Sequence, residues 1–300
     1  MSEKEALARR FEEHRTHLRA VAYRMLGSLS ESEDAVQETW IRLNRSDVTG
    51  VENLGGWLTT VIGRVCLDML RSRATRAEES LHDRDGLVRL PDPVVTGPAG
   101  MNPEHEILMA DSVGIALLVV LDTLAPAERV AFVLHDLFAV PFDEIAPVLG
   151  RTAATTRQLA SRARRRVQGA APAPDPDLVR TREIVDAFLA AARGGDLGAL
   201  LDLLDPEVVA RSDGGALRPS PVRRGAQDVA SQAIMFARFA EAAYPALVNG
   251  IPGVVSRSAD GAPLSVMAFT VRDGRIVALD ILTDPDRLAR LGLGTGPEAG

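Results

Sequence analysis

Two segments rich in proline and glycine interrupt the chain and limit what it can fold into. The first covers residues 75–103 and contains RLPDPVVTGPAGMNP, and the second is GAAPAPDPD at residues 169–177. Proline removes a backbone donor and glycine adds backbone entropy, so neither segment is expected to sustain a helix or a sheet. We therefore divide the chain into three blocks, 1–74, 104–168 and 178–292, joined by two linkers.

The first block is predicted to be all helical. Apolar residues recur at spacings of three, four and seven, which is typical of helices with one buried face. Gly27 is expected to end the first helix, and Ser30 with Glu33 forms a capping box for the second. A third helix is predicted at residues 54–73.

The second block carries the pattern of a helix-turn-helix. Pro126 is placed to open one helix, and a short helix at 141–149 is followed by Gly150, which suits a tight turn with positive φ. Thr152 can cap a longer helix at 153–167. Residues 151–167 contain six arginines and no acid, which favours phosphate binding.

The third block changes to an α+β pattern. Helices are predicted at 179–193, 197–204 and 228–241, and strands at 208–211, 245–249, 254–257, 264–271 and 276–282. Asp260-Gly261 and Asp273-Gly274 favour tight hairpin turns. We expect a curved antiparallel sheet that forms a cone with a pocket.

Composition excludes several classes of protein. The chain is 46% hydrophobic and 25% charged, which indicates a globular protein, and it lacks an apolar run long enough for a bilayer, so a cytoplasmic location without a membrane partner is expected. A single cysteine, Cys66, cannot form an internal disulfide or a cysteine-based metal cluster. The net charge of −7 is unusual for a DNA-binding protein. We therefore expect the basic surfaces to be held closed until a partner engages.

Two long stretches resemble a known family. FEEHRTHLRAVAYRMLGSLSESEDAVQETWIRL with GWLTTVIGRVCLDMLRSR is similar to region two of bacterial extracytoplasmic-function (ECF) sigma factors. LDTLAPAERVAFVLHDLFAVPFDEIAPVLGRTAATTRQLASRARRRV is similar to their region four. The RLPDP linker and the last block resemble the group with a SnoaL-like (NTF2-like) extension. The resemblance implies two helical sigma domains at 1–74 and 104–168, the second with the helix-turn-helix, and an α+β regulatory domain at 178–292.

The resemblance also implies partners for the first two blocks: core RNA polymerase, through its β′ clamp and β flap, and promoter DNA. The DAVQETW segment is similar to the surface that docks on the β′ clamp, and the residues implied there are Asp34, Gln37, Glu38 and Trp40. The loop at 47–56 and the following helix are similar to the element that reads the −10 element as extruded bases. The residues implied for this role are Asn53, Trp57, Thr60, Arg64, Arg71 and Arg73.

The −35 element is expected to be read by the start of the basic helix. The candidate residues are Thr152, Thr155, Thr156, Arg157, Gln158, Ser161, Arg162 and Arg165. Arg157 suits guanine and Gln158 suits adenine, whereas the later arginines, Arg165 among them, suit phosphates.

The last block resembles a regulator built into the chain. A family motif, Asp-Gly-Gly-Gly-Lys, appears as Asp213, Gly214, Gly215, Ala216 and Leu217, without its lysine. A second, Asn-Pro-Asp-Lys-Leu, appears as Asp284, Pro285, Asp286, Arg287 and Leu288. The resemblance implies a cis-regulatory role for Asp213, Gly214, Gly215, Asp284, Pro285 and Asp286.

Two other functions stay open at this point. One is a DNA-binding regulator that senses a small-molecule ligand in the C-terminal pocket, although such a protein needs no polymerase-docking helix. The other is an isomerase or hydrolase with a DNA-binding appendage. All five histidines lie outside residues 169–300, which disfavours acid–base catalysis there. We expect no catalytic residues, no cofactor and no metal site.

Overall fold

The structure is a computed structural model of the 300-residue chain. It describes residues 3–48, 50–79, 89–97, 114–170, 175, 177–215, 222–238 and 242–293. These residues form two compact units. The first contains residues 3–79 and 118–170, and the second contains residues 89–97, 114–117 and the described residues from 175 onwards.

The first unit is helical. Its helices are α1 (Glu3–Leu26), α2 (Leu29–Arg45), α3 (Leu54–Glu79), α4 (Ile115–Asp122, whose first residues belong to the second unit), α5 (Pro126–Phe132), α6 (Phe142–Leu149) and α7 (Ala153–Ala170). A π-helical turn, Val133–Leu137, extends α5. Buried apolar side chains from the helices, such as Leu18, Leu58 and Leu134, form the core of this unit.

Most predicted helix ends agree with the structure. Gly27 has φ +67° and ends α1, and Gly150 has φ +63° and ends α6. The predicted capping box at Ser30 is wrong, because α2 begins two residues earlier than the box requires, with Ser28 as the N-cap residue. The sequence also predicts a helix at residues 107–124, of which residues 107–113 lie outside the described residues.

The second unit combines a sheet with helices packed on it. Its helices are α8 (Leu178–Gly194), α9 (Leu197–Leu203), α10 (Ala226–Ala237) and α11 (Pro285–Arg290). Its strands are β1 (Val95–Thr96), β2 (Leu204–Asp213), β3 (Arg223–Arg224), β4 (Ala242–Val248), β5 (Ile251–Arg257), β6 (Pro263–Arg272) and β7 (Arg275–Leu282). The sheet order is β1-β4-β5-β6-β7-β2-β3.

The expected α+β class is confirmed, with one change in topology. Phe188 of α8 packs edge-on against Phe269 of β6, so α8 covers the face of the sheet that carries Phe269. Asp273 and Gly274 both have positive φ, as the predicted hairpin turn requires. The expectation of an antiparallel sheet is wrong at one pair, since β2 runs parallel to β7. The long connection through β3 and α10 before β4 allows this arrangement.

The prediction that the 75–103 linker holds no regular structure is also wrong in part. Helix α3 continues to Glu79, and Val95–Thr96 forms strand β1 against β4. The Pro91 and Pro93 rings precede β1, so they withhold no ladder hydrogen bond from it. None of the described helices is long and apolar enough to cross a membrane.

Candidate functional site

Helix α2 presents the predicted partner-binding residues on its solvent side. Asp34 and Gln37 are exposed, whereas Glu38 and Trp40 are half-buried. The Trp40 ring packs on Phe11 with 5.0 Å between centroids, and Glu38 accepts a 2.9 Å hydrogen bond from Arg42. Ile41, which sequence reasoning missed, leaves 41% of its surface exposed. Asp34, Gln37 and Ile41 therefore form an exposed stripe at helical spacing, which we call the α2 stripe.

The predicted −10 residues divide into two groups in the structure. Asn53 and Arg71 are exposed, and Trp57 and Thr60 are half-buried at the start of α3. The Asn53 side chain caps α3, since its Oδ1 accepts a 3.0 Å hydrogen bond from the Gly56 amide. A Cβ on Gly56 would lie 2.6 Å from Asn53 Nδ2, so glycine keeps this cap in place.

Arg73, a predicted −10 residue, has partners within the first unit. It forms an ion pair with Glu31, and its Nη1 donates a 3.0 Å hydrogen bond to the Leu26 carbonyl. The guanidinium therefore links α3 to the ends of α1 and α2. Because these internal partners use much of its donor capacity, we leave Arg73 out of the −10 site proposed below.

The helix-turn-helix is formed by α6 and α7. Thr152 caps α7, because its Oγ1 accepts a 3.2 Å hydrogen bond from the Thr155 amide. Among the predicted −35 residues, those exposed on α7 are Thr155, Arg157, Gln158, Ser161, Arg162 and Arg165, and Thr152 is exposed beside them. Thr156 is fully buried and donates to the Thr152 carbonyl. It is therefore withdrawn from the predicted DNA-binding set, because a side chain with no exposed surface cannot reach a base.

Two arginines of α7 have partners within the first unit. Arg164 pairs with Asp136 at 2.5 Å, and Arg166 pairs with Glu128 at 3.4 Å. These ion pairs hold the C-terminal half of α7 against α5 and the π-helical turn. Arg157, Arg162 and Arg165 remain as exposed cations on the helix surface.

The first unit packs the predicted −10 helix directly against the helix-turn-helix. A Cβ on Gly63 of α3 would lie 3.0 Å from Leu134 and 3.7 Å from Val148. Arg64, a predicted −10 residue, donates a 3.0 Å hydrogen bond to the Pro147 carbonyl of α6. In this packing, the Arg64 side chain is hydrogen-bonded within the first unit.

Two further side chains, one buried and one at the surface, contribute to that packing. Arg129 is only 4% exposed, and it donates 2.9 Å to the Met25 carbonyl and pairs at 2.8 Å with Asp122. His17 of α1 lies edge-on to Phe138 at 5.4 Å, and its Nε2 is 3.1 Å from Thr59 Oγ1. Burial, with the nearby His14 and Arg24, lowers the pKa of His17 below its ordinary value.

In the second unit, the two predicted cis-regulatory motifs lie side by side. The Asp213 carbonyl accepts hydrogen bonds from the Thr283 and Asp284 amides at 2.7 and 3.1 Å. Asp284 caps α11 through the amides of Asp286 and Arg287. Gly215 has φ +77°, and a Cβ there would lie 2.5 Å from Asp284 Oδ2. The structure therefore brings together residues that are about 70 positions apart.

Beside these two motifs, Arg287 binds the linker. Arg287 Nη1 pairs with Asp213 at 2.5 Å, its Nη2 pairs with Asp92 at 2.5 Å, and Nη2 also donates 2.7 Å to the Leu90 carbonyl. The Leu90 amide donates 2.8 Å to Asp213 Oδ2. The Arg287, Asp92 and Asp213 side chains are 11%, 17% and 5% exposed. We call this group the Arg287 clamp.

A second contact holds the linker a few residues later. The Val94 amide donates 2.9 Å to Asn249 Oδ1, and the Asn249 amide donates 2.8 Å to the Val94 carbonyl. Asn249 occupies the turn between β4 and β5 with φ +50°, a conformation that asparagine tolerates better than most residues. Leu90 and Val94 are each 3% exposed, so the linker is buried on the sheet.

A cavity of about 10 Å³, with room for roughly one water molecule, lies where the linker covers the sheet. Its lining comes from the linker, α4 and the sheet: Leu90, Pro91, Pro93, Ile115, Val248, Val266, Ala268, Asp280 and Leu282. Asp280 pairs with Arg211 at 2.6 Å, and burial raises the pKa of Asp280 although Arg211 opposes this shift.

Sequence reasoning missed several residues of these sites. Asp92 lay within the RLPDP string and Arg287 within the second motif, but neither was expected to contact the other. The two residues are 195 positions apart, so their pairing left no local signal. Within the described residues, no cluster of histidine, cysteine and acidic side chains is arranged to hold a metal ion.

Two family models match parts of the chain. Residues 10–76 match Sigma-70 region 2, and residues 115–167 match Sigma-70, region 4. The ECF RNA polymerase sigma factor SigJ of Mycobacterium tuberculosis is 41% identical over 293 residues, which cover 92% of this chain and 91% of that protein. The probable ECF RNA polymerase sigma factor SigI of the same organism is 33% identical over 299 residues, covering 96% and 97%.

A solved structure extends the similarity to the third block. The crystal structure of the Mycobacterium tuberculosis extracytoplasmic function sigma factor SigJ superposes with a TM-score of 0.76 at 37% identity. The match covers 96% of this chain and 100% of that one. The similarity therefore includes both units.

Proposed function

Because the chain belongs to the ECF RNA polymerase sigma factors, and so directs RNA polymerase to promoters, we propose that its second unit controls this activity by holding the linker between the two sigma domains. The Arg287 clamp carries the proposal. It joins the linker to both predicted cis-regulatory motifs through ionic contacts that are largely shielded from water.

We place docking to core polymerase on the α2 stripe. Asp34 and Gln37 offer polar contacts, and Ile41 offers an apolar one among them. An exposed apolar residue bordered by polar ones is typical of a protein interface. The partner we assign to this stripe is the β′ clamp, and some of the arginines of α7 would face the β flap.

We assign the −10 element to the loop before α3 and to α3 itself. Asn53, Trp57, Thr60, Arg64 and Arg71 are the residues retained for it. Arg71 is an exposed cation that suits the DNA backbone, and Trp57 offers a half-buried ring at the helix start.

We assign the −35 element to α7. Its residues Thr152, Thr155, Arg157, Gln158 and Ser161 lie at or near the helix start, which is the part of a recognition helix that meets base edges. Arg162 and Arg165 lie further along and suit phosphates.

The packing within the first unit implies that the sigma domains must separate before they bind a promoter. The two elements are centred about 25 base pairs apart, which is about 85 Å along B-form DNA. Helix α3 is in direct contact with α6 of the helix-turn-helix, so α3 and α7 cannot reach both elements in this arrangement. This supports the expectation that the DNA-binding surfaces are closed in the free chain.

Holding the linker would restrain that separation. Residues 80–114 connect α3 to α4, and the clamp, Asn249 and β1 fix the middle of this connection. The packing of the linker on the sheet leaves one polar group unsatisfied, because the buried Thr96 hydroxyl has no hydrogen-bond partner among the described residues. This omission lowers the stability of the packing. We propose that polymerase binding and linker release are coupled. Neither step needs covalent chemistry by this chain, and both take place where the polymerase is, in the cytoplasm.

Reconstituted transcription tests this function. The chain would be mixed with purified core polymerase and a library of genomic fragments, and the start sites of the RNA products would be mapped. We expect the products to share two upstream elements at promoter spacing, and no sequence-specific transcription from core polymerase alone. Transcription without shared elements, or tight binding of the free chain to duplex promoter DNA, would contradict the proposal.

A further inference from the structure

We propose that Phe142, at the start of α6, is a positioning residue that sets the base preference of α7 by holding the guanidinium of Arg157. This inference rests on the proposed −35 role of α7. Phe142 belongs to the first helix of the helix-turn-helix and was not among the predicted DNA-binding residues. Its role would be to act through Arg157 and not to touch DNA.

The geometry joins three side chains. The guanidinium carbon of Arg157 lies 5.2 Å from the centroid of the Phe142 ring, which is within cation–π range. The His135 ring stacks on Phe142 with 3.7 Å between centroids and 27° between planes. Arg157 is exposed, whereas Phe142 and His135 are half-buried. The one side chain suited to guanine is thus supported by an aromatic pair that is anchored in the protein.

The backbone around His135 is arranged to keep this pair in place. The π-turn ends at Leu137, and Ala139 then adopts φ +54°, a left-handed conformation that alanine rarely takes. This reversal brings the Val140 carbonyl within 3.0 Å of His135 Nδ1, which donates to it and fixes the ring. Both a π-turn and a left-handed alanine are locally unfavourable, so the surrounding packing must maintain them.

Holding Arg157 matters because its free side chain samples many rotamers. Bidentate pairing with guanine requires one planar orientation, and ordering a long side chain at the moment of binding costs affinity. A guanidinium already placed over an aromatic ring loses less freedom when it binds. The benefit applies to base pairing and hardly at all to phosphate contacts, which tolerate many geometries.

The test measures base preference at each upstream position. Holoenzyme reconstituted from core polymerase and the full chain would select from duplexes whose −35 hexamer is randomised, and bound DNA would be sequenced. The variants are Phe142→Leu, Phe142→Tyr, Arg157→Ala and Arg157→Lys, with Arg165→Ala as the phosphate-contact control. Thermal unfolding of each chain would be measured in parallel.

We expect Arg157→Ala to abolish the preference at one position. Phe142→Leu should reduce the preference at that same position by roughly two- to fivefold and leave the other positions unchanged. Phe142→Tyr, which keeps the ring, should retain it. Arg157→Lys should resemble Phe142→Leu, because lysine lacks the planar fork, and adding Phe142→Leu to Arg157→Lys should have little further effect. Arg165→Ala should weaken all sequences alike.

Three results would overturn the inference. One is a Phe142→Leu holoenzyme with the wild-type preference, and another is an equal loss at every position. The third is full additivity of the losses of base preference that Phe142→Leu and Arg157→Lys cause. This comparison also decides the question if Phe142→Leu lowers stability. A wild-type holoenzyme with no upstream preference would instead overturn the −35 role of α7 itself.

Discussion

At the scale of single residues, exposure decides which predicted contacts can form. Asp34 and Arg157 are exposed, whereas Thr156 is fully buried and Arg73 is paired with Glu31. All four belong to stretches that resemble known binding surfaces. The resemblance locates the surface, and the burial of each side chain separates binding residues from those that hold the helix.

Asp34→Arg is predicted to weaken binding to core polymerase by at least about tenfold. Asp34 is exposed, so reversing its charge changes the α2 stripe and not the core. Fluorescence anisotropy of the labelled chain titrated with core polymerase measures the effect. Glu183→Arg, an equal charge change at an exposed position of α8, should bind as the wild type does. Equal affinities for the two variants would remove polymerase docking from this stripe.

Gly215→Ala is predicted to destabilise the second unit by about 1–3 kcal/mol. The position has φ +77°, and the added Cβ would meet the Asp284 carboxylate that caps α11. Chemical denaturation measures the loss. Gly292→Ala serves as a control for the backbone effect alone, since φ there is +61° but no heavy atom lies within 4 Å of the added Cβ. A loss for Gly215→Ala no larger than that for Gly292→Ala would show that contact with Asp284 is unimportant.

At the scale of elements, the first unit is held closed by contacts between α1, α3 and the segment from α5 to α6. His17 is one of these contacts. Its Nε2 donates to Thr59 Oγ1, because that hydroxyl already donates to the Gly55 carbonyl. The imidazole therefore lies between helix α3 and the Phe138 ring and contacts both.

The closed arrangement is predicted to lose stability in mild acid. The lowered pKa of His17 means that the folded chain binds this proton more weakly than the unfolded chain does. The contribution of His17 to the free energy of unfolding is fully present above the ordinary histidine pKa of about 6.5 and declines as the pH falls below it. The slope corresponds to the uptake of less than one proton on unfolding. Urea unfolding at several pH values between 7.5 and 5.5 measures this.

His17→Gln should flatten that pH dependence, since glutamine can keep the hydrogen bond to Thr59 and does not titrate. His14→Gln, a neighbouring change, should retain most of it. A wild-type slope that survives unchanged in His17→Gln would show that the acid sensitivity arises elsewhere.

Elements with local signals could be predicted from the sequence, and those that depend on distant contacts could not. The turn at Gly150 and the hairpin at Asp273-Gly274 follow from residues that favour positive φ. The π-turn at Val133–Leu137 and strand β1 have no such signal. β1 exists because β4 offers a free edge and Asn249 holds the chain beside it. The parallel pairing of β2 with β7 likewise depends on the order of the whole sheet.

At the scale of the whole molecule, the described part of the linker belongs to the second unit. The Arg287 clamp joins one cation to two carboxylates and a carbonyl, all largely buried. Removing the cation would leave the Asp92 and Asp213 carboxylates close together without their shared counter-charge, which is unfavourable in a largely buried place. We therefore expect the loss of Arg287 to weaken the contact between the linker and the sheet, which Asn249 and β1 also support.

The affinity of the full chain for core RNA polymerase, with and without the clamp, tests this account most directly. Wild type, Arg287→Ala and the control Arg290→Ala, an exposed arginine on the same helix, would be compared by equilibrium titration. We predict that all three bind and that Arg287→Ala binds about tenfold more tightly than the other two. If Arg287→Ala bound no more tightly than Arg290→Ala, the linker would not restrain the sigma domains. If none of the three bound core polymerase, the assignment of polymerase docking to this chain would be contradicted.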